Sequence, residues 1–148
     1  MTKTTYADLE KQYKLPALSE LSDFDIESID EKDLSLRAVA QKINDRHGYY
    51  ADLLESLVNP EQTLTAIHES QAFTDAEREH MLVLLQKLMH TYRTFTFCDL
   101  EKKDFEKYIS DVLTAWTTNK AELHKILRKL SAAWLPTVKL KAELEYLG

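Results

Sequence analysis

The sequence predicts an all-α fold, a multi-helix bundle with two long antiparallel helices and several shorter ones. Three observations predict it. Leu36, Ala40, Ile43, His47, Tyr50, Leu54 and Leu57 recur at alternating spacings of four and three, the seam of a helix that packs lengthwise on a neighbour. Met81, Leu85, Leu88, Tyr92 and Phe95 repeat that rhythm in a second stretch. The chain of 148 residues has only two glycines, Gly48 and Gly148. That is too few for the tight hairpins of most β folds, and it removes Gly-rich phosphate and dinucleotide loops. A chain of this length buries about two-thirds of its unfolded surface as one domain, so a single helical-bundle domain is expected over residues 1–148.

Taken in order, Thr5 caps a first helix carried by Tyr6, Leu9 and Tyr13. It ends before Leu15–Pro16, because proline disfavours helix at the preceding residue. Residues 15–29 form an ordered acidic connector pinned by Leu18, Leu21, Phe24, Ile26 and Ile29. Ser28 with Glu31 has the spacing of a capping box and opens the first long helix near Asp30. Val39 and Leu53 widen that helix's apolar face, and residues 36–57 span roughly 33 Å at the standard rise. Gly48 interrupts it at a cost of about 1 kcal/mol relative to alanine, which a close helix crossing or a modest kink would explain.

Asn59-Pro60-Glu61-Gln62 stops this helix and caps a short one containing Leu64 and Ile67. Thr74-Asp75-Ala76-Glu77 is the cleanest capping box and launches the second long helix, whose face Leu84 and Met89 thicken. The β-branched stretch Thr94-Phe95-Thr96-Phe97 is expected to fray it. Asp99 then caps a helix of Phe105, Tyr108, Ile109, Val112, Leu113 and Trp116, and Asn119 with Glu122 opens one more. That last helix sets Leu123, Ile126, Leu127, Leu130 and Trp134 against a basic face of Lys125, Arg128 and Lys129, and stops at Leu135–Pro136. The tail, 136–148, is too apolar at Val138, Leu140, Leu144 and Leu147 for a disordered end. It is expected to dock, as helix rather than strand, with Lys139 and Lys141 reaching the acidic stretch of residues 20–33.

The single cysteine, Cys98, suits a reducing compartment. No apolar run approaches the roughly 20 residues of a membrane span, and the polar start lacks a signal peptide's hydrophobic region. These features predict a cytoplasmic protein with no membrane partner. The formal net charge of −6 argues against a protein that coats nucleic acid. Its distribution is uneven: nine acids against four bases in residues 1–35, but three acids against six bases in residues 119–148. Such asymmetry suggests mutual docking, within a chain or between two.

Little in the sequence carries chemistry. Glu77-x-x-His80 puts a carboxylate and an imidazole on one helix face, half of a carboxylate di-iron motif, but no second Glu-x-x-His accompanies it and Glu77 already closes a capping box. The five histidines are scattered, with no pair at the i, i+4 spacing of zinc helices. His47 lies on the first seam and is a core histidine or, in a sharper reading, a pH-sensitive one facing a groove. A helix start would lower the pKa of Cys98, which the acid of Asp99 opposes. Asp30, Glu31 and Asp33 complement a helix dipole. No catalytic residue, metal or cofactor is assigned.

Binding signals are stronger. Trp116 and Trp134 belong to a residue type enriched at interface hot spots, and Lys125, Arg128 and Lys129 form one cationic face. The expected function is a non-catalytic protein-interaction or assembly module, with an unknown protein partner or self-association. The alternatives are a metal-dependent helical-bundle enzyme, di-iron or hydrolase-like, centred on Glu77 and His80, and nucleic-acid binding by the basic C-terminal helix.

At Leu9-Glu10-Lys11-Gln12-Tyr13-Lys14-Leu15-Pro16, Phe24-Asp25-Ile26-Glu27, Asn59-Pro60 and Phe73-Thr74-Asp75-Ala76-Glu77 the chain resembles a group of uncharacterised archaeal all-helical proteins, over residues 6–95. The resemblance implies a cytoplasmic archaeal protein and brings no activity, cofactor or functional residue with it.

Overall fold

Five α-helices carry the described residues: α1 (Tyr6–Tyr13), α2 (Leu36–Val58), α3 (Leu64–Gln71), α4 (Asp75–Glu101) and α5 (Phe105–Ala132). The computed structural model describes residues 4–136, and no strand occurs among them. The fold is an all-α multi-helix bundle in which α2 and α4 are long and antiparallel. The docked tail expected at 136–148, with Lys139 and Lys141, falls on residues 137–148 and lies outside the described residues.

Local chemistry sets the helix starts. Thr5 caps α1 through a complete box: its hydroxyl accepts from the Asp8 N–H, and the Asp8 carboxylate accepts from the Thr5 N–H at 3.0 Å. Lys14 closes α1 in the left-handed conformation (φ 53°), normally glycine's role. The connector folds as three 3-10 turns, Leu18–Phe24, Ile26–Ser28 and Glu31–Asp33. The box expected from Ser28 and Glu31 does not form. Asp30 caps only the last of those turns, and Ser35 caps α2, its hydroxyl accepting from the Ala38 N–H at 3.1 Å. Likewise Asn59 does not open the short helix. Thr63 does, accepting from the Ala66 N–H at 3.1 Å.

Two expected breaks are absent. α4 continues through Thr94–Phe97 to Glu101, because the Thr94 and Thr96 hydroxyls donate back to the carbonyls of His90 and Tyr92 while Phe95 is buried against the rings of Phe105 and Tyr108. Asp99 therefore lies inside α4 rather than capping a helix, and both its oxygens accept from Arg37, at 2.6 and 3.0 Å. That cation offsets an acid placed near a helix C-terminus, and its hydrogen bond holds the Asp99 carboxyl below the ordinary range. Asn119 and Glu122 open no helix either. α5 passes through them unbroken, because Ile109, Val112, Trp116, Asn119, Leu123 and Leu130 stay in one seam and Asn119 is buried there as a core position.

The described residues form two compact units, 4–49 with 88–116 and 50–87 with 117–136. In the first, Arg37 meets Asp99 and Gly48 meets Tyr92, so α2 and α4 run antiparallel. A Cβ on Gly48 would stand 2.7 Å from the Tyr92 ring; the glycine marks a close crossing. Tyr108 donates to Asn44 Oδ1 at 3.2 Å, and burial pushes its own pKa up. The connector closes this core with Leu21, Phe24 and Ile26, all buried. The Tyr6 hydroxyl, donating to the Pro16 carbonyl at 2.5 Å, fastens α1 to it, and burial with nearby Glu10 and Glu20 pushes that phenol up to about 12.

His47 is a core residue at 1% exposure. Its ring lies 6.0 Å from that of Phe24 and 5.2 Å from that of Trp116, and its Nδ1–H donates to the Ile43 carbonyl at 2.9 Å. Burial lowers its pKa, only partly opposed by the Ile43 bond. A base with a depressed folded-state pKa binds more protons unfolded than folded, so stability rises with pH. We expect stability to fall as pH drops through about 6.5 and to keep falling down to the depressed value. Urea midpoints at pH 8, 7, 6 and 5 check this: His47→Gln should flatten the slope, and an unchanged slope would place its origin elsewhere.

In the second unit Ser70 donates to the Leu57 carbonyl at 3.1 Å, tying α3 to the end of α2. Arg78 donates to the Ser70 and Phe73 carbonyls and pairs with Asp75, bracing the α3–α4 turn. His68 donates to the Ala133 carbonyl at 2.5 Å, and Trp134 donates to Glu69 at 2.9 Å, so α3 and the end of α5 are stitched together.

Candidate functional site

The site grows out of the Thr74–Glu77 capping box. The Thr74 hydroxyl accepts from the Glu77 N–H at 3.1 Å, and Glu77 Oε1 accepts from the Thr74 N–H at 2.9 Å. Folding the Glu77 carboxylate back over the helix start also presents it to α5, where Lys129 donates to the same oxygen at 2.6 Å. Lys129 in turn lies 5.4 Å from the centre of the Phe73 ring, within cation–π range. One cap thus fixes the register of α4 against α5 at this end of the second unit.

Beyond this clamp the two helices leave a cavity of about 440 Å³, within the range of small binding sites. Phe73, Met81 and Leu84 form its floor and are buried, whereas Val83 is 50% exposed at the wall. Ile126 closes the α5 side. The rim is charged: Glu77, His80 and Lys87 from α4, Glu122 and Lys125 from α5. The arrangement can hold an apolar group in its floor and charged groups at its edge.

The Lys129 hydrogen bond, with the Thr74 N–H second, holds the Glu77 carboxyl at about 2. Its folded-state pKa is depressed, so the contribution is present above the unfolded value of 4.5 and is lost as pH falls towards 2. Both partners are more than a third exposed, so screening by salt weakens the pair. Lys129→Met should move the Glu77 titration up towards the ordinary glutamate range, as followed by carboxyl-carbon NMR. A titration that stays near 2 would give the cap alone the credit.

The structure brings some sequence candidates together and separates others. Glu77, His80 and Lys125 line the cavity and Lys129 anchors its edge. Arg128 is exposed on α5 and lies outside the lining. Trp116 belongs to the first unit, is buried, and donates its indole N–H to Asp23 at 2.9 Å. Trp134 is 38% exposed and its ring is tilted against that of His68, ring centres 4.5 Å apart. Glu77 and His80 share the cavity as their spacing requires, with the Glu77 carboxylate engaged by Thr74 and Lys129. Among the described residues no group of three or more His, Cys, Asp or Glu side chains is gathered to hold a metal ion.

Sequence reasoning missed Phe73 in the cavity floor, Val83 at its wall and Lys87 on its rim. One signal was available: Leu82 and Val83 lie off the α4 seam and are still apolar. Cys98 is buried in the first unit, where burial, followed by the charge of Asp104, pushes its thiol up. No helix among the described residues is long and apolar enough to cross a membrane. No protein-family model matches the sequence, and comparison with curated proteins and with solved structures finds no match either. The site is therefore read from its geometry.

Proposed function

We propose that the protein is a non-catalytic protein-interaction module, and that the α4–α5 cavity receives apolar side chains of a partner. The observation that carries this reading is the combination of a buried apolar floor with a half-exposed wall at Val83 and a charged rim. Interfaces have this anatomy, an apolar centre that excludes water inside a polar edge. A cavity of about 440 Å³ accommodates one or two large side chains.

The test fills the cavity. Ile126 is part-exposed, so Ile126→Trp should fold, as circular dichroism and a melting curve would confirm. Proteins that co-purify with the unmodified chain from its native host are expected to be lost from Ile126→Trp. A co-purifying set indifferent to the filled cavity would overturn the reading.

A further inference from the structure

We infer that residues 137–148 of this same chain occupy the α4–α5 cavity when no partner is bound, as a helix that seats Leu140 and Leu144 in the apolar floor. The inference rests on the reading of the cavity as a receiver of apolar side chains and adds what fills it in the free chain. The path of the chain supports it. α5 ends at Ala132, less than two turns, or about 9 Å of helix, beyond the cavity residue Ile126. The exit is held there: the Ala133 carbonyl accepts from His68 at 2.5 Å, and Trp134 donates to Glu69 at 2.9 Å. Pro136 cannot extend α5 and suits the first turn of a new helix. Residues 137–148 lie outside the described residues. Their length, about 18 Å as a helix and about 40 Å extended, is enough to reach back past Ile126 to the floor.

The chemistry of the segment matches the cavity. Leu140, Leu144 and Leu147 recur at spacings of four and three, one apolar stripe on a helix. The cavity offers Phe73, Met81 and Leu84 in its floor and the half-exposed Val83 at its wall. A furrow between two helices takes up the apolar ridge of a third. The rim sets Glu77 and Glu122 against Lys87 and Lys125, beside His80, so it favours neither an acidic nor a basic occupant. Lys139, Lys141, Glu143 and Glu145 give the segment the same balance. The acidic connector, the other landing place expected for this segment, offers it charge, but Leu21, Phe24 and Ile26 are already buried in the first unit. A tethered segment also meets the cavity at an effective concentration of roughly millimolar order. A partner must displace it, so the tether sets the threshold for binding.

The full chain with methyl-labelled methionine tests this, because Met81 lies in the cavity floor and Met89 lies in the first unit as a control. The double variant Leu140→Asn, Leu144→Asn is expected to shift the Met81 resonance and leave Met89 in place. A synthetic peptide of residues 137–148, titrated into that variant, should return Met81 to its original position. It should bind the variant at least tenfold more tightly than the unmodified chain, whose own segment competes with it, and adding Ile126→Trp should abolish its binding. A Met81 resonance unmoved by the double variant, equal shifts at Met81 and Met89, or a peptide that binds both chains equally would overturn the inference. Sedimentation showing a dimer that the double variant dissolves would put the segment in a second copy and overturn it too. These results leave the partner reading standing, since co-purification with Ile126→Trp judges that separately. If that reading alone fails, the response of Met81 to the double variant remains and supports the segment as occupant.

Discussion

Phe24→Ala is expected to destabilise the protein by about 3–5 kcal/mol, the range for truncating a buried phenylalanine. Phe24 is 1% exposed. Its ring is stacked near His47, with planes 13° apart, and tilted against Trp116 with centres 5.0 Å apart. The residue ends a 3-10 turn, and the next residue, Asp25, is left-handed (φ 56°), so the backbone is held by the side chain it delivers. Asp23, the neighbour on the other side, accepts from Trp116, and loosening the turn loosens that bond too. Domains of this size are stable by about 5–15 kcal/mol in total, so the loss is a large share. Urea unfolding followed by tryptophan fluorescence measures it, since Trp116 reports on the same cluster. A loss below about 1 kcal/mol would mean that the connector covers the core without belonging to it.

Gly48→Val should cost about 1–3 kcal/mol, as overpacking does, although any residue replacing a helical glycine gains up to about 1 kcal/mol of propensity. The sign is decided by Tyr92. A Cβ at position 48 would stand 2.7 Å from Tyr92 Cε2 and 3.3 Å from Cδ2, and valine adds two methyl groups to that Cβ. The ring, or the α2–α4 separation, must give. A double-mutant cycle separates this clash from a general helix defect. In a Tyr92→Ala background Gly48→Val is expected to become neutral or stabilising, a coupling that distant, independent sites do not show. Equal costs in both backgrounds would remove Tyr92 from the explanation.

What lies within a few residues along the chain was legible without the fold. The four-three rhythm of residues 36–57 marked the helix whose Ala40, Ile43, His47, Leu54 and Leu57 are buried. Thr5 and Thr74 capped as expected, and α1 ended before Leu15–Pro16. A cap joins residues three apart and a seam repeats every three or four, so a short stretch contains the whole interaction. Where two local signals competed, tertiary packing chose. Asn119 looks like a cap until the seam of α5 carries it into the core, and Thr94–Phe97 looks frayed until Phe95 is buried between Phe105 and Tyr108. Only the tertiary structure could show that Trp116 meets Asp23, that Glu77 meets Lys129, and that Val83 and Lys87 share a cavity with Lys125. Those partners are separated by tens of residues, and the chain's local preferences do not encode which of many apolar or charged residues will be brought together. The candidate site exists because the side chains of α4 and α5 leave a volume unfilled between them, a property of packing rather than of pattern.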